Sequence, residues 1–87
     1  MIIEGNLDLS GEIFEKDIYL FDVTIKGDLD LRDAIILGSL QLQRATIKGD
    51  MNLATKSGPT KIIVSPAMAE QVRQLAPPHV HIEVQAE

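Results

Sequence analysis

Apolar residues fall on alternate positions in short bursts along most of this chain. Leu7 and Leu9, Ile18 and Leu20, Leu29 and Leu31, Leu40 and Leu42, Met51 and Leu53, and Ile62 and Val64 stand two residues apart, with mostly polar residues between. Ile3, Phe14, Ile25, Ile36 and Ile47 continue the same phase upstream of five of these pairs. Alternation of period two predicts strands with one buried face, whereas the same residues would scatter around a helix.

The alternation itself recurs. Gly5, Gly27, Gly38 and Gly49 are spaced by 22, 11 and 11 residues, and Lys16 fills the skipped place. Cut at that interval, the chain reads MIIEGNLDLSG, EIFEKDIYLFD, VTIKGDLDLRD, AIILGSLQLQR, ATIKGDMNLAT and a degenerate KSGPTKIIVSP. A fixed short period marks a repeat architecture, in which each unit buries its apolar row on a neighbour and none is stable alone. The first, third and fifth units (IEGNLDL, IKGDLDL, IKGDMNL) resemble one another more than they resemble the second and fourth. The spacing therefore predicts a mainly β chain: a short β-solenoid of 11-residue units, two per 22-residue coil, with three coils over residues 1–64. Like segments would stack at the strand spacing of roughly 4.8 Å, placing Leu7, Leu29 and Met51 in one interior row and Leu9, Leu31 and Leu53 in another. Each coil would hold two non-equivalent segments, with the glycine marking a bend or a close backbone approach inside each. A coil of a single 11-residue unit is the weaker alternative, because so narrow a tube has almost no interior.

After Val64 the pattern changes. Ser65-Pro66 forms a helix N-cap and first-turn pair, Ala67 to Ala76 holds good helix formers, and Pro77-Pro78 ends them. Met68, Val72 and Leu75 share one face of that helix, predicted over Pro66 to Ala76. His79 to Val84 reads as a last strand with Val80, Ile82 and Val84 inward. Residues 65–87 are thus expected to be a helix-plus-strand cap on the same domain, covering strand edges that would otherwise pair with another chain. The N-terminal end has no comparable cover in the sequence.

The A-x-I-x-G-D-L-D-L-x-x pattern resembles the repeats of bacterial right-handed β-helix proteins, similar to those of pentapeptide-repeat proteins and of the polymer-forming bactofilins. The resemblance covers residues 1–66 and implies the architecture far more than an activity. It departs from the pentapeptide pattern in period, since eleven breaks a phase of five, and from bactofilin coils, which are a little shorter and richer in valine.

Composition narrows the classes of function. A chain of 87 residues buries only about 60–65% of its unfolded surface, so the core is thin. There is no cysteine to supplement it with disulfides or thiolate–metal bonds, so a cytoplasmic setting is expected. Neither a basic-then-apolar leader nor an apolar run of membrane-spanning length is present, so no membrane partner is expected. The formal charge is −5. Residues 1–55 carry ten acidic and five basic side chains, and residues 56–87 three of each, so the excess belongs to the repeats. Direct nucleic-acid binding is disfavoured by that sign and by the presence of only three aromatic residues, Phe14, Tyr19 and Phe21.

Three groups of residues stand out as candidate sites. Asp8, Asp28, Asp30 and Asp50, with Asn6 and Asn52, form two outward rows of carboxylates and amides. They either make strand-end turns soluble or dock a basic partner; calcium is the weaker alternative, since the nine-residue, paired-glycine calcium repeat is absent. Tyr19, Phe21, Leu37 and Ile63 point away from the expected core and form a candidate apolar contact, covered by the cap or by another chain. Ile3, Leu7 and Leu9, in the uncovered first coil, are candidates for self-association. His79, His81 and Glu83 alternate along one strand face but lack a fourth ligand, so no metal and no other cofactor is expected. No phosphate-binding loop, nucleophile elbow, Cys/His pair or metalloprotease helix is present, which argues against an enzyme and a small-molecule substrate.

The resulting expectation is a non-catalytic interaction module whose acidic face docks on a basic surface of another protein, as an inhibitor imitating a nucleic acid or as a scaffold. The rival is a structural protein that associates through its first coil, with a homodimer expected from an isologous contact between identical ends.

Overall fold

The computed structural model describes residues 1–85; Ala86 and Glu87, the end of the expected cap, lie outside the described residues. The molecule is mainly β, with many short parallel strands in stacked sheets and one helix near the C-terminus. Its strands are β1 (Ile2–Ile3), β2 (Leu7–Asp8), β3 (Ile13–Phe14), β4 (Ile18–Tyr19), β5 (Thr24–Ile25), β6 (Leu29–Asp30), β7 (Ile35–Ile36), β8 (Leu40–Leu42), β9 (Thr46–Ile47), β10 (Met51–Asn52), β11 (Lys61–Val64) and β12 (His81–Val84), with helix α1 (Pro66–Leu75) between the last two.

The first eleven strands pair in parallel with partners 22 residues away. Leu7 lies beside Leu29 and Leu29 beside Met51; Ile3 beside Ile25 and Ile25 beside Ile47; Ile18 beside Leu40 and Leu40 beside Ile62. The resulting sheets are β1–β5–β9, β2–β6–β10, β3–β7 and β4–β8–β11–β12. On the β3–β7 side, the third circuit contributes only a bridge from Ser57 to Ile35.

One expectation needs correction. Each of the first five 11-residue units is two strands rather than one segment, so a 22-residue circuit has four sides instead of two. The chain bends at the fourth and fifth places of the first five units and turns at the end of the first four, and strands β1 to β10 begin alternately five and six residues apart. The turn closes on a left-handed residue in each of the first four units: Gly11, Asp22, Asp33 and Arg44, with φ between +55° and +69°. Glycine and aspartate tolerate that region, whereas arginine is an uncommon occupant. Arg44 is held there by its backbone N–H, which donates to Ser65 Oγ at 2.7 Å, and by its guanidinium on Asp22.

The glycines of the bend answer to the circuit beneath. A Cβ on Gly27 would lie 2.1 Å from Asn6 Oδ1 and 2.8 Å from the Gly5 carbonyl carbon; on Gly49 it would meet Asp28 Oδ1 and Gly27, and on Gly38 it would meet Asp17. Nothing lies within 4 Å of the corresponding point at Gly5. Lys16 also belongs to the first circuit, below which no strand lies among the described residues, so no close approach of the kind seen at Gly27, Gly38 and Gly49 acts on it there.

Burial follows the stack. Leu29, Leu31, Leu40 and Leu42 of the middle circuit have no exposed surface, while Leu7, Leu9, Ile18 and Leu20 of the first are only half-buried. Val23, Ala34 and Ala45, at the first place of their units, are buried as well, an inward position beyond the third, seventh and ninth places of the alternation. Helix α1 lies over the top of the core through Met68, Ala69 and Val72. Leu75, expected on the same face, is instead 41% exposed at the helix end. Ser65 occupies the N-cap position with Pro66 at the first turn, but its hydroxyl bonds to Arg44 rather than to the helix. β12 spans His81–Val84, shorter than expected, and pairs with β11; Val80 is buried, Ile82 half-buried and Val84 exposed.

Candidate functional site

The two acidic rows lie on the β2–β6–β10 side, and each has a local structural task. Asn6, Asp28 and Asp50 follow the glycine bend. Asn6 Oδ1 accepts the Asp28 N–H at 2.8 Å, and Asp28 Oδ1 accepts the Asp50 N–H at 2.8 Å, so the row is a ladder of side chain-to-backbone bonds between circuits. Asp17 does the same at the opposite corner of the circuit, accepting the Ser39 N–H at 2.7 Å. In the second row the bonds are local. Asp8 accepts the hydroxyl and backbone N–H of Ser10, Asp30 the backbone N–H and guanidinium of Arg32, and Asn52 the N–H of Ala54. The bonds to Asp8, Asp30 and Asp17 favour the ionised form. The Ser10 hydroxyl and N–H hold Asp8 below the ordinary carboxylate range, the Arg32 N–H and side chain do so for Asp30, and the Ser39 N–H does so for Asp17.

Asp28, Asp30 and Asp50 also line a cleft. It measures about 580 Å³, opens to solvent, and runs between β10 and the end of α1, with Met51, Leu53, Gln74 and Leu75 among its walls. Asp8 is not part of its lining. Arg32 is, but it is ion-paired to Asp30 at 3.1 Å, so the carboxylates of Asp28 and Asp50 set the sign of the cleft. Sequence reasoning found the rows and missed the cleft, which exists because the cap passes over one side of the stack only.

The apolar candidates separate. Tyr19 and Phe21 are exposed and touch, with ring centroids 5.4 Å apart, and Leu37 is exposed at the corner between β7 and β8. Ile63 does not join that surface, being only 5% exposed. It stands in the outward row Tyr19–Gln41–Ile63–Glu83, flanked by two longer side chains, with Glu83 held toward Lys61 at 3.6 Å. Ile3, Leu7 and Leu9 are half-buried at the open end, where β1, β2, β3 and β4 are all edge strands.

Among the described residues no group of three or more His, Cys, Asp or Glu is placed to hold a metal ion. No helix among them is long and apolar enough to cross a membrane. No protein-family model, curated protein or solved structure matches the chain.

Proposed function

We propose that the chain is a short β-solenoid of three 22-residue coils, similar in construction to the right-handed β-helix repeats, acting as a non-catalytic interaction module in the cytoplasm. Its acidic β2–β6–β10 side docks a basic surface of another protein, with no cofactor, nucleic acid or small-molecule substrate of its own. The observation that carries this reading is the cleft, whose lining holds the carboxylates of Asp28, Asp30 and Asp50 and a single basic side chain already paired. Clustered like charge beside a concavity raises the local concentration of oppositely charged partners.

Replacing Asp28, Asp30 and Asp50 together by asparagine tests it. Asparagine keeps the acceptor oxygen that the ladder uses, as Asn6 already demonstrates, so folding is retained. Retention on immobilised basic proteins should fall, and the loss should be greatest at low salt. Unchanged retention and salt dependence would reduce the face to solubilising surface.

Self-association is a second reading, favoured by the four edge strands of the first circuit and by the exposure of Ile2 and Ile13 there. Unpaired edges are templates for another chain, and a two-fold contact through residues near Ile3, Leu7 and Leu9 would close as a homodimer. Sedimentation equilibrium at micromolar concentration distinguishes it. A dimer that Ile3→Lys or Leu7→Lys converts to monomer supports the reading, and a wild-type monomer removes it.

A further inference from the structure

We infer that the free edge of β10 receives an extended, basic segment of the partner as a fourth parallel strand of the β2–β6–β10 sheet. The inference rests on the acidic-face reading above and names where and how that face would bind.

In each circuit the strand offers N–H groups upward: Leu7 to Asp28 O at 2.8 Å and Leu9 to Asp30 O at 2.8 Å, then Leu29 to Asp50 O and Leu31 to Asn52 O, both at 2.9 Å. Met51 and Leu53 come next in this series, and β10 is the last strand of its sheet. On the opposite side the equivalent edge is filled, because β12 pairs with β11 along Lys61 to Val64. Above β10 there is instead the cleft, with Gln74 and Leu75 as its far wall. A strand lies about 4.8 Å from its neighbour, so an opening of this volume beside an edge accepts a short extended peptide.

The ladder specifies the visitor further. Asn6 accepts from Asp28 and Asp28 from Asp50, and among the described residues no N–H reaches the Asp50 carboxylate, the last acceptor in the series. A strand seated on β10 would give its own N–H to Asp50 Oδ1. The residue before that N–H has to be glycine, for the reason seen at Gly27 and Gly49, where a Cβ would come 2.1 Å from the accepting oxygen. Beyond it the pleat alternates. Outward side chains stand over Asp50 and Asn52, the top members of the rows that continue below as Asp28 and Asp30, and are best basic; inward ones extend the rows ending in Met51 and Leu53, with Leu75 across the cleft, and are best apolar. The preferred segment is therefore glycine–basic–apolar–basic–apolar.

A second copy of this chain fits less well. Its segment IEGNLDL has the glycine and the apolar spacing, but Glu4 and Asp8 would bring like charge onto the acidic rows. That segment also lies in a flat end of four strands, which α1 would hold away from β10.

The test uses the full chain, isotope-labelled, and the peptide acetyl-Lys-Gly-Lys-Leu-Lys-Leu-amide, read by titration and by amide hydrogen exchange. Binding should slow exchange at Met51 and Leu53. Methylating the amide nitrogens of the two lysines that follow the glycine should weaken binding at least about tenfold, as expected for losing one or two backbone hydrogen bonds. Alanine in place of the peptide glycine should weaken it comparably, and glutamate in place of lysine should abolish it. If the methylated peptide binds within about twofold of its parent, strand addition is wrong while docking on the acidic face survives. If neither the peptide nor basic proteins bind, both readings fall together. If Met51 and Leu53 become protected as protein concentration rises without peptide, a second copy occupies the edge and the inference is overturned.

Discussion

Two sides of this molecule are built from the same repeat and end differently. On the β2–β6–β10 side the paired residues are Leu7, Leu29 and Met51; on the β4–β8–β11 side they are Ile18, Leu40 and Ile62. Inside, the two are interchangeable, with Leu29 and Leu40 both fully buried. Outside, one carries Asp, Asn and an open cleft, and the other Tyr19, Gln41, Ile63 and Glu83 under a closing strand. The repeat dictates the interior, where each rung makes the same demand on the next. The edges are decided by the one segment that does not repeat, which leaves β11, crosses the core as α1 and returns to the same sheet.

If the interiors are equivalent, truncation should cost the same on both sides. Leu29→Ala and Leu40→Ala are each expected to lose about 3–4 kcal/mol, a large share of the stability of so small a domain. Leu7→Ala, half-buried in the first circuit, should lose clearly less. Urea denaturation monitored by circular dichroism measures all three. A loss below about 1 kcal/mol at Leu29 would contradict its place in the interior row.

The bend glycines give the next contrast. Gly49→Ala drives a Cβ to 2.6 Å from the Gly27 carbonyl oxygen in the circuit below, and the two rungs must part; about 2–3 kcal/mol should be lost. Gly5→Ala meets nothing and should be neutral or slightly stabilising, because alanine reduces the freedom of the unfolded chain. Equal costs at the two positions would mean that the glycines serve turn conformation and not close approach.

The period of this stack was legible in the sequence and its number of sides was not, for a definite reason. The inward residues Ile25, Leu29 and Leu31 keep one parity across the bend at Lys26–Gly27, so two bent strands carry the same alternation as one straight strand. The glycine recurrence located the close approach, but the partner of each glycine lies 22 residues upstream, where composition gives no sign of it. The acidic rows were visible as rows. Their bonding was not, since Asp28 and Asp50 look alike in sequence while, among the described residues, only Asp28 has an N–H above it. The cleft depended on where α1 comes to rest, and the exposure of Leu75 followed from the same placement.

The closed side depends on a smaller joint. Ser65 is buried, and its hydroxyl accepts the N–H of Arg44, tying the left-handed corner after β8 to the start of the cap. Ser65→Ala removes that buried acceptor and should cost about 1–2 kcal/mol, while Ser65→Thr should recover most of it. A urea titration separates the two variants, and an alanine variant as stable as wild type would remove the joint from the account.

The smallest expected effect concerns charge in the ladders. The N–H of Ser39 lowers the Asp17 carboxyl from its ordinary value of 3.8, so the folded state binds that proton more weakly than the unfolded chain does. The sign follows directly: the contribution to stability is fully present above the unfolded value and is lost as pH falls through the lower folded one, below about pH 4. Asp8 and Asp30 on the cleft side, Asp22 beside Arg44, and Glu83 beside Gln85 shift in the same direction, so both sides should weaken together in acid. Asp17→Asn isolates one member. The amide oxygen still accepts the Ser39 N–H, as Asn6 accepts that of Asp28, so the variant should fold with nearly wild-type stability at pH 7. It should lose less stability than wild type between pH 5 and pH 3, because one titrating group is gone. Chemical denaturation at four or five pH values across that window measures the slope. A slope unchanged by Asp17→Asn would mean that Asp17 does not contribute to the acid response, leaving it to the exposed pairs outside the ladders.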